Sequence, residues 1–169
     1  NFFISAINGK TLHVENWTYN CKSNHFLNEQ SHNHSHYIYN SQFLNDGASY
    51  GVIKLPNESP NHGPFETVVN PADPVASPFG WHDTDGNIGP EFTITRGNNI
   101  YAREDDEGDN SQSGTDYSPD GGSSLNFNYD FDISGAPPSY QDLSITNLFY
   151  TGNMVHDIWY NYGFDEQSG

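Results

Sequence analysis

A single cysteine, Cys21, leaves the chain without an internal disulfide, so cysteine usage says nothing about its compartment. Basic residues are also scarce: five Lys and Arg stand against 22 Asp and Glu, a formal charge of −17. That imbalance repels phosphate backbones and anionic headgroups, which argues against nucleic acid and membrane as partners and favours cations. No apolar run approaches the length that crosses a bilayer. HExxH, a cysteine cluster and Gly-x-Ser-x-Gly are all missing, so no paired-histidine metal helix, structural zinc knot or nucleophile elbow can be placed on these residues.

What is present is aromatic and turn-rich. Apolar residues make up 33% of the 169, a thin supply for a core, but 11 Tyr, 11 Phe and 3 Trp bury large areas each. Sixteen Gly and ten Pro predict many turns. The charge is uneven: residues 1–47 hold Lys10 and Lys22 against Glu15, Glu29 and Asp46, so −16 of the −17 falls after Gly47. Two segments of different character are expected. The chain opens without Met on Asn1-Phe2-Phe3-Ile4 and is expected to be an internal stretch of a longer protein.

One stretch has strong helical periodicity. From Ser139 to Gly163, the residues Ile145, Leu148, Phe149, Gly152, Val155, Trp159 and Tyr162 recur at steps of three and four, which predicts one buried face. Ser139 with Asp142 three residues on has the capping-box pattern. Pro137 and Pro138 oppose an earlier start, and Gly163 suits a left-handed stop. The fold expected is α+β: short, loop-linked strands packed around one long central helix at about 139–163. On that helix Trp159 is expected to be core, and Gly152 to mark a close approach. Asn153, His156 and Asp157 lie at i, i+3 and i+4 and are expected to hydrogen-bond structurally, a ligand or catalytic role being the alternative.

Around the helix the chain reads as short strands. Asn8-Gly9 between apolar runs predicts a hairpin over Phe3–Val14. Lys22–Gly47 is polar linker; within it His32, His34 and His36, with His25 nearby, form an easy chelate that nothing in the pattern rigidifies. Strands are expected at Tyr50–Leu55, stopped by Pro56, at Phe65–Asn70, at Glu91–Thr95 turning through Arg96-Gly97-Asn98-Asn99 into Ile100–Ala102, and at Leu125–Asp132. Ser111–Ser124 is expected to be a long surface loop. Arg96, one of three bases after Ala48, is expected to be held by paired hydrogen bonds that it donates to neighbouring carboxylates, or else to face a substrate. Glu104–Asn110 packs five acids into seven residues; Asp105, Glu107 and Asp109 alternate as calcium ligands do, with a solvated acidic loop as the competing reading. Asp83-Thr84-Asp85-Gly86-Asn87 is a second, shorter candidate.

The blocks Leu148–Phe164 with Asp165–Gly169, Thr93–Ala102, Pro71–Asp83 and Tyr50–Gly63 together resemble the fungalysin family of secreted zinc metalloendopeptidases. Tyr50-Gly51-Val52-Ile53-Lys54-Leu55-Pro56 followed by Glu58-Ser59-Pro60-Asn61-His62-Gly63 is similar to the mature N-terminus of bacterial members. The hairpin and Cys21 are similar to the last hairpin of the family's propeptide, which acts as intramolecular chaperone and inhibitor. The resemblance implies that residues 1–47 end a propeptide and that 48–169 begin a thermolysin-like catalytic domain, with maturation near Ala48 or Ser49. It also implies extracellular protein or peptide substrates, and a zinc centre on an HExxH helix downstream of Gly169. The rival expectation, from another class, is a secreted acidic calcium-binding or adhesive module without catalysis.

Overall fold

The computed structural model describes residues 46–106, 108, 116–130, 132, 134–165 and 168, together with two strands near the N-terminus. The chain divides into two units, Asn1–Ile38 and Tyr39–Gly169. In the first, β1 (Phe2–Ile4) pairs antiparallel with β2 (Thr11–Val14), Phe2 opposite Val14 and Phe3 opposite His13, with an irregularity between Phe3 and Ile4. This is the pairing a hairpin requires. The expected turn at Asn8-Gly9 and the histidines His25, His32, His34 and His36 lie outside the described residues.

The second unit is α+β and built on β3 (Ser49–Ile53). This strand lies between β4 (Phe65–Val69), antiparallel to it with Ser49 opposite Val69 and Ile53 opposite Phe65, and the two-residue β5 (Asn126–Phe127), parallel to it. β3 is buried through Tyr50, Gly51 and Val52, as a central strand must be, whereas β4 is an edge with Glu66, Thr67 and Val69 exposed. Among the described residues the strand expected over Leu125–Asp132 contracts to β5, which begins only at Asn126 because Leu125 takes a left-handed conformation (φ 49°) straight after a 3-10 turn at Gly122–Ser124. The ladder expected around Arg96 is reduced to two isolated bridges, Ile94 to Asp120 and Arg96 to Tyr101.

The helix α1 spans Gln141–Asn161 and follows a 3-10 turn at Pro137–Tyr140. Ser139 is not its cap: its hydroxyl donates to Ala136 O (2.7 Å), and Tyr140 takes the cap position without a side-chain bond. Asp142, in the first turn, instead accepts the Tyr117 hydroxyl at 2.8 Å. Burial and that carboxylate push Tyr117 up to about 12. The C-terminus ends as expected, with Gly163 left-handed at φ 92°. Gly163 N donates to Tyr160 O and Phe164 N to Trp159 O, while the Phe164 ring meets the Trp159 ring edge-on at 5.0 Å. This is a Schellman closure with its apolar contact.

The buried face of α1 differs from the expected stripe. Leu143, Ile145, Thr146, Phe149, Tyr150, Asn153 and Asp157 are buried, whereas Leu148 (59%), Trp159 (52%) and Tyr162 (77%) are largely exposed, with Val155 and Ile158. At about 100° per residue, the exposed apolar residues fall on the side of the helix away from Phe149, Asn153 and Asp157. The helix therefore carries two apolar stripes, and the periodicity in the sequence joins members of both. Gly152 does mark a close approach, since a Cβ there would lie 2.8 Å from Ile100 Cδ1.

The core between β3, β5 and α1 is largely aromatic. Tyr50 stacks on Phe127 (5.4 Å, 5° between planes), and His82 stacks on Phe127 (5.1 Å) and Phe149 (5.0 Å). His82 is fully buried and bonded on both sides. Its Nδ1 lies 3.1 Å from the Arg96 carbonyl, which only accepts, so Nδ1 carries the proton and Nε2 takes the Tyr50 hydroxyl at 2.8 Å. Burial lowers the His82 pKa, against the opposing pull of Asp46 and the backbone bond to Arg96. A histidine whose pKa falls on folding binds protons better when unfolded. Its contribution is thus complete above an unfolded value of about 6.5 and is lost as pH falls below it. The urea midpoint is expected to drop between pH 7.5 and 5.5, and His82→Gln to be less stable at pH 7.5 but to show a shallower drop; an equal drop in both proteins would assign the effect elsewhere.

Candidate functional site

The polar positions on α1 converge on one carboxylate. Asp157 is nearly fully buried; its Oδ2 accepts the Trp81 indole N–H (2.8 Å) and the Asp73 backbone N–H (2.9 Å), and its Oδ1 accepts the Ser77 hydroxyl (2.7 Å). His156 Nδ1 adds a fourth contact to Oδ1 at 2.9 Å, so the ring holds its proton on that nitrogen. Asn153 turns inward and donates to Phe149 O, one turn back. Asp73 shapes the loop it begins: it accepts Val75 N and Ala76 N at 2.9 Å each and the Asn161 amide at 3.2 Å. Burial opposes its charge, but these donors hold its carboxyl below the usual value. The cluster ties the 73–82 loop to α1 through hydrogen bonds.

Asp105 is exposed, while Glu107 and Asp109 lie outside the described residues. Asp83, Asp85 and Glu91 instead converge, one oxygen from each lying within 4.8 Å of the others. Glu91 arrives because the chain folds back, Glu91 N donating to His82 O. Its distance in sequence from the Asp83–Asn87 run hid it; the only signal is that one acid follows a Gly-Asn turn. Each carboxylate already takes local donors: Thr84 N to Glu91 (2.6 Å), Gly86 N to Asp83 (3.1 Å) and Asn87 N to Asp85 (2.9 Å). Burial, together with Glu91 and Asp85, raises the Asp83 pKa above the ordinary carboxylate value. A largely exposed, all-oxygen set suits a hard cation better than zinc, whose protein sites are built mainly on histidine and cysteine. Among the described residues no such group includes a histidine or cysteine.

Among the described residues no carboxylate holds Arg96. Its guanidinium lies over the Phe92 ring (4.2 Å to the centre) and the Tyr101 ring (5.0 Å), and among the described residues it has no ion-pair partner. Trp159, expected in the core, is 52% exposed, and among the described residues its ring meets the rings of Tyr162 and Phe164 at the helix end. The reason is geometric: its side of α1 faces away from β3 and the ring stack.

The sequence from 49 to 169 matches the family model described as fungalysin metallopeptidase (M36). The chain is similar to extracellular metalloproteinase 5 of Trichophyton tonsurans, 39% identical over 125 residues. It is also similar to probable extracellular metalloproteinase 5 of Arthroderma benhamiae (42% over 123) and extracellular metalloproteinase mep of Aspergillus flavus (40% over 123). Each alignment covers 72% of this chain and 19% of the relative, so the chain spans about a fifth of the length of the curated relatives it matches.

Removing the Asp157 carboxylate leaves an indole N–H, a hydroxyl and a backbone N–H buried without their acceptor. Asp157→Ala is expected to cost about 3–5 kcal/mol in urea unfolding with an unchanged slope, and Asp157→Asn less, because one oxygen remains. A cost below about 1 kcal/mol for the alanine variant would contradict the tie between loop and helix.

Proposed function

The chain belongs to the fungalysin metallopeptidase family, and from that premise we propose that it is part of a secreted zinc-dependent metalloendopeptidase acting on peptide bonds of extracellular proteins. The relatives' names support this reading, each being called an extracellular metalloproteinase. Within it, residues 48–169 are the N-terminal part of a thermolysin-like catalytic domain, and α1 is that domain's central helix. The carrying observation is the two-sided helix. One face is sealed by β3 and the ring stack, while Leu148, Val155, Ile158 and Trp159 present a second apolar stripe to the opposite side, where a further layer of the domain packs.

Residues 1–47 are the end of a propeptide that inhibits the enzyme until it is cut away. The cut falls ahead of Ala48, which is buried and leads directly into the central strand, and next to exposed Gly47. The zinc centre belongs to the part of the protein after Gly169. The bound metal supplies Lewis acidity and an activated water there; the residues described here form one wall of the substrate cleft and hold it in shape. A second reading, an acidic calcium-binding module without catalysis, draws on the convergence of Asp83, Asp85 and Glu91.

Two measurements decide between these readings. The 169-residue chain with casein and zinc is expected to release no peptides, whereas the protein continued downstream through the catalytic domain is expected to cleave casein in a chelator-sensitive way. Chelator-sensitive cleavage by the 169-residue chain overturns the placement of the zinc centre, and inactivity of the longer protein overturns the peptidase reading. Trp159→Ala is expected to cost about 1 kcal/mol in the 169-residue chain and about 3–5 kcal/mol in the longer protein, where the ring is covered. Equal small costs in both would refute a second layer over this stripe.

A further inference from the structure

Three bases, Lys54, Arg96 and Arg103, stand among the acids of residues 48–169, and two of them flank one ring. Tyr101 has the Arg96 guanidinium 5.0 Å from its centre and that of Arg103 at 5.7 Å. Arg103 is engaged with Asp116 at 3.5 Å. Arg96, in a chain of charge −17, has no carboxylate within reach among the described residues. Its plane is instead taken up by Phe92 and Tyr101, and a guanidinium packed on aromatic faces keeps its in-plane N–H fork for a planar anion.

The platform is rigid. Arg96 and Tyr101 face each other across an antiparallel bridge whose turn is closed by Gly97 N donating to Ile100 O at 2.9 Å. The Arg96 carbonyl is fixed by buried His82, and Gly97 lies so close to the Trp81 carbonyl that a Cβ would overlap it. The cation is therefore set on an element clamped to the core, which lowers the ordering cost of binding. The overall negative field disfavours polyanions and leaves a single carboxylate as the matching ligand.

We propose that Phe92, Arg96 and Tyr101 form a recognition site for a peptide carboxylate, carried by an acidic side chain or by a free C-terminus. The site rests on this geometry and not on the peptidase reading, so its test reads binding to the 169-residue chain rather than turnover. The Arg96 Nε–H resonance is followed by 15N NMR during titration with N-acetyl-alanyl-glutamate amide, N-acetyl-alanyl-alanine with a free carboxylate, and neutral N-acetyl-alanyl-glutamine amide. A saturable shift is expected with at least one of the two acids, the responding arm identifying the source, and none with the glutamine peptide. Arg96→Lys keeps the charge but loses the fork and is expected to weaken binding about tenfold, read from backbone resonances of Phe92 and Tyr101. Should that variant not fold, Tyr101→Leu, at a position 39% exposed, removes the platform and is expected to weaken binding similarly. No shift with either acid, an equal shift with the glutamine peptide, or undiminished binding by the variant that folds overturns the site.

Discussion

The carboxylate of Asp157 is the point through which the loops are attached to the helix. It holds the Trp81 indole, and Trp81 sets its neighbour His82 into the ring stack under Phe149 and beside Phe127. His82 in turn fixes the carbonyl of Arg96, so the hairpin bearing Arg96 and Tyr101 is anchored to the core through two hydrogen bonds and one peptide link. A buried charge is tolerated there because four donors surround it, where an unpaired one would cost several kcal/mol (about 3–5). Breaking this single acceptor would loosen the loop, the histidine and the hairpin together.

The core is aromatic because the chain has little else to bury. A sheet of three strands, one of them two residues long, covers only one side of α1. Tyr50, Trp81, Phe127, Phe149 and Tyr150 fill that side with large rings, and the polar ends of Tyr50 and Trp81 find partners in His82 and Asp157. The opposite side of the helix has no such layer among the described residues, which is why its apolar stripe is exposed. In the proposed enzyme this side is interior.

The acid excess has a local use. Asp46, Asp73, Asp83, Asp85, Asp120 and Asp132 each accept a backbone N–H two or three residues further on, closing turns that a loop-rich fold needs. A count of carboxylates therefore overstates cation sites, since many are committed to their own backbone. Arg96 is the complementary case: the scarcity of bases suggested a carboxylate partner, and the structure supplies rings.

Local patterns determined what depends on neighbouring residues. The helix and its stop at Gly163, the strand before Pro56, the close approach at Gly152 and the α+β class follow from periodicity, turn residues and backbone sterics, which act over a few positions. The family was legible in four blocks, from Tyr50–Gly63 to Leu148–Gly169. Which side of the helix is buried was decided only by the tertiary structure, because α1 has two apolar stripes and the buried one includes Thr146, Asn153 and Asp157, which hydropathy assigns to solvent. The partners of Asp157, the meeting of Glu91 with Asp83 and Asp85, and the rings under Arg96 likewise depend on where loops return to the core. Such contacts join residues up to 84 positions apart, as Asp73 and Asp157 are, and no local rule specifies them.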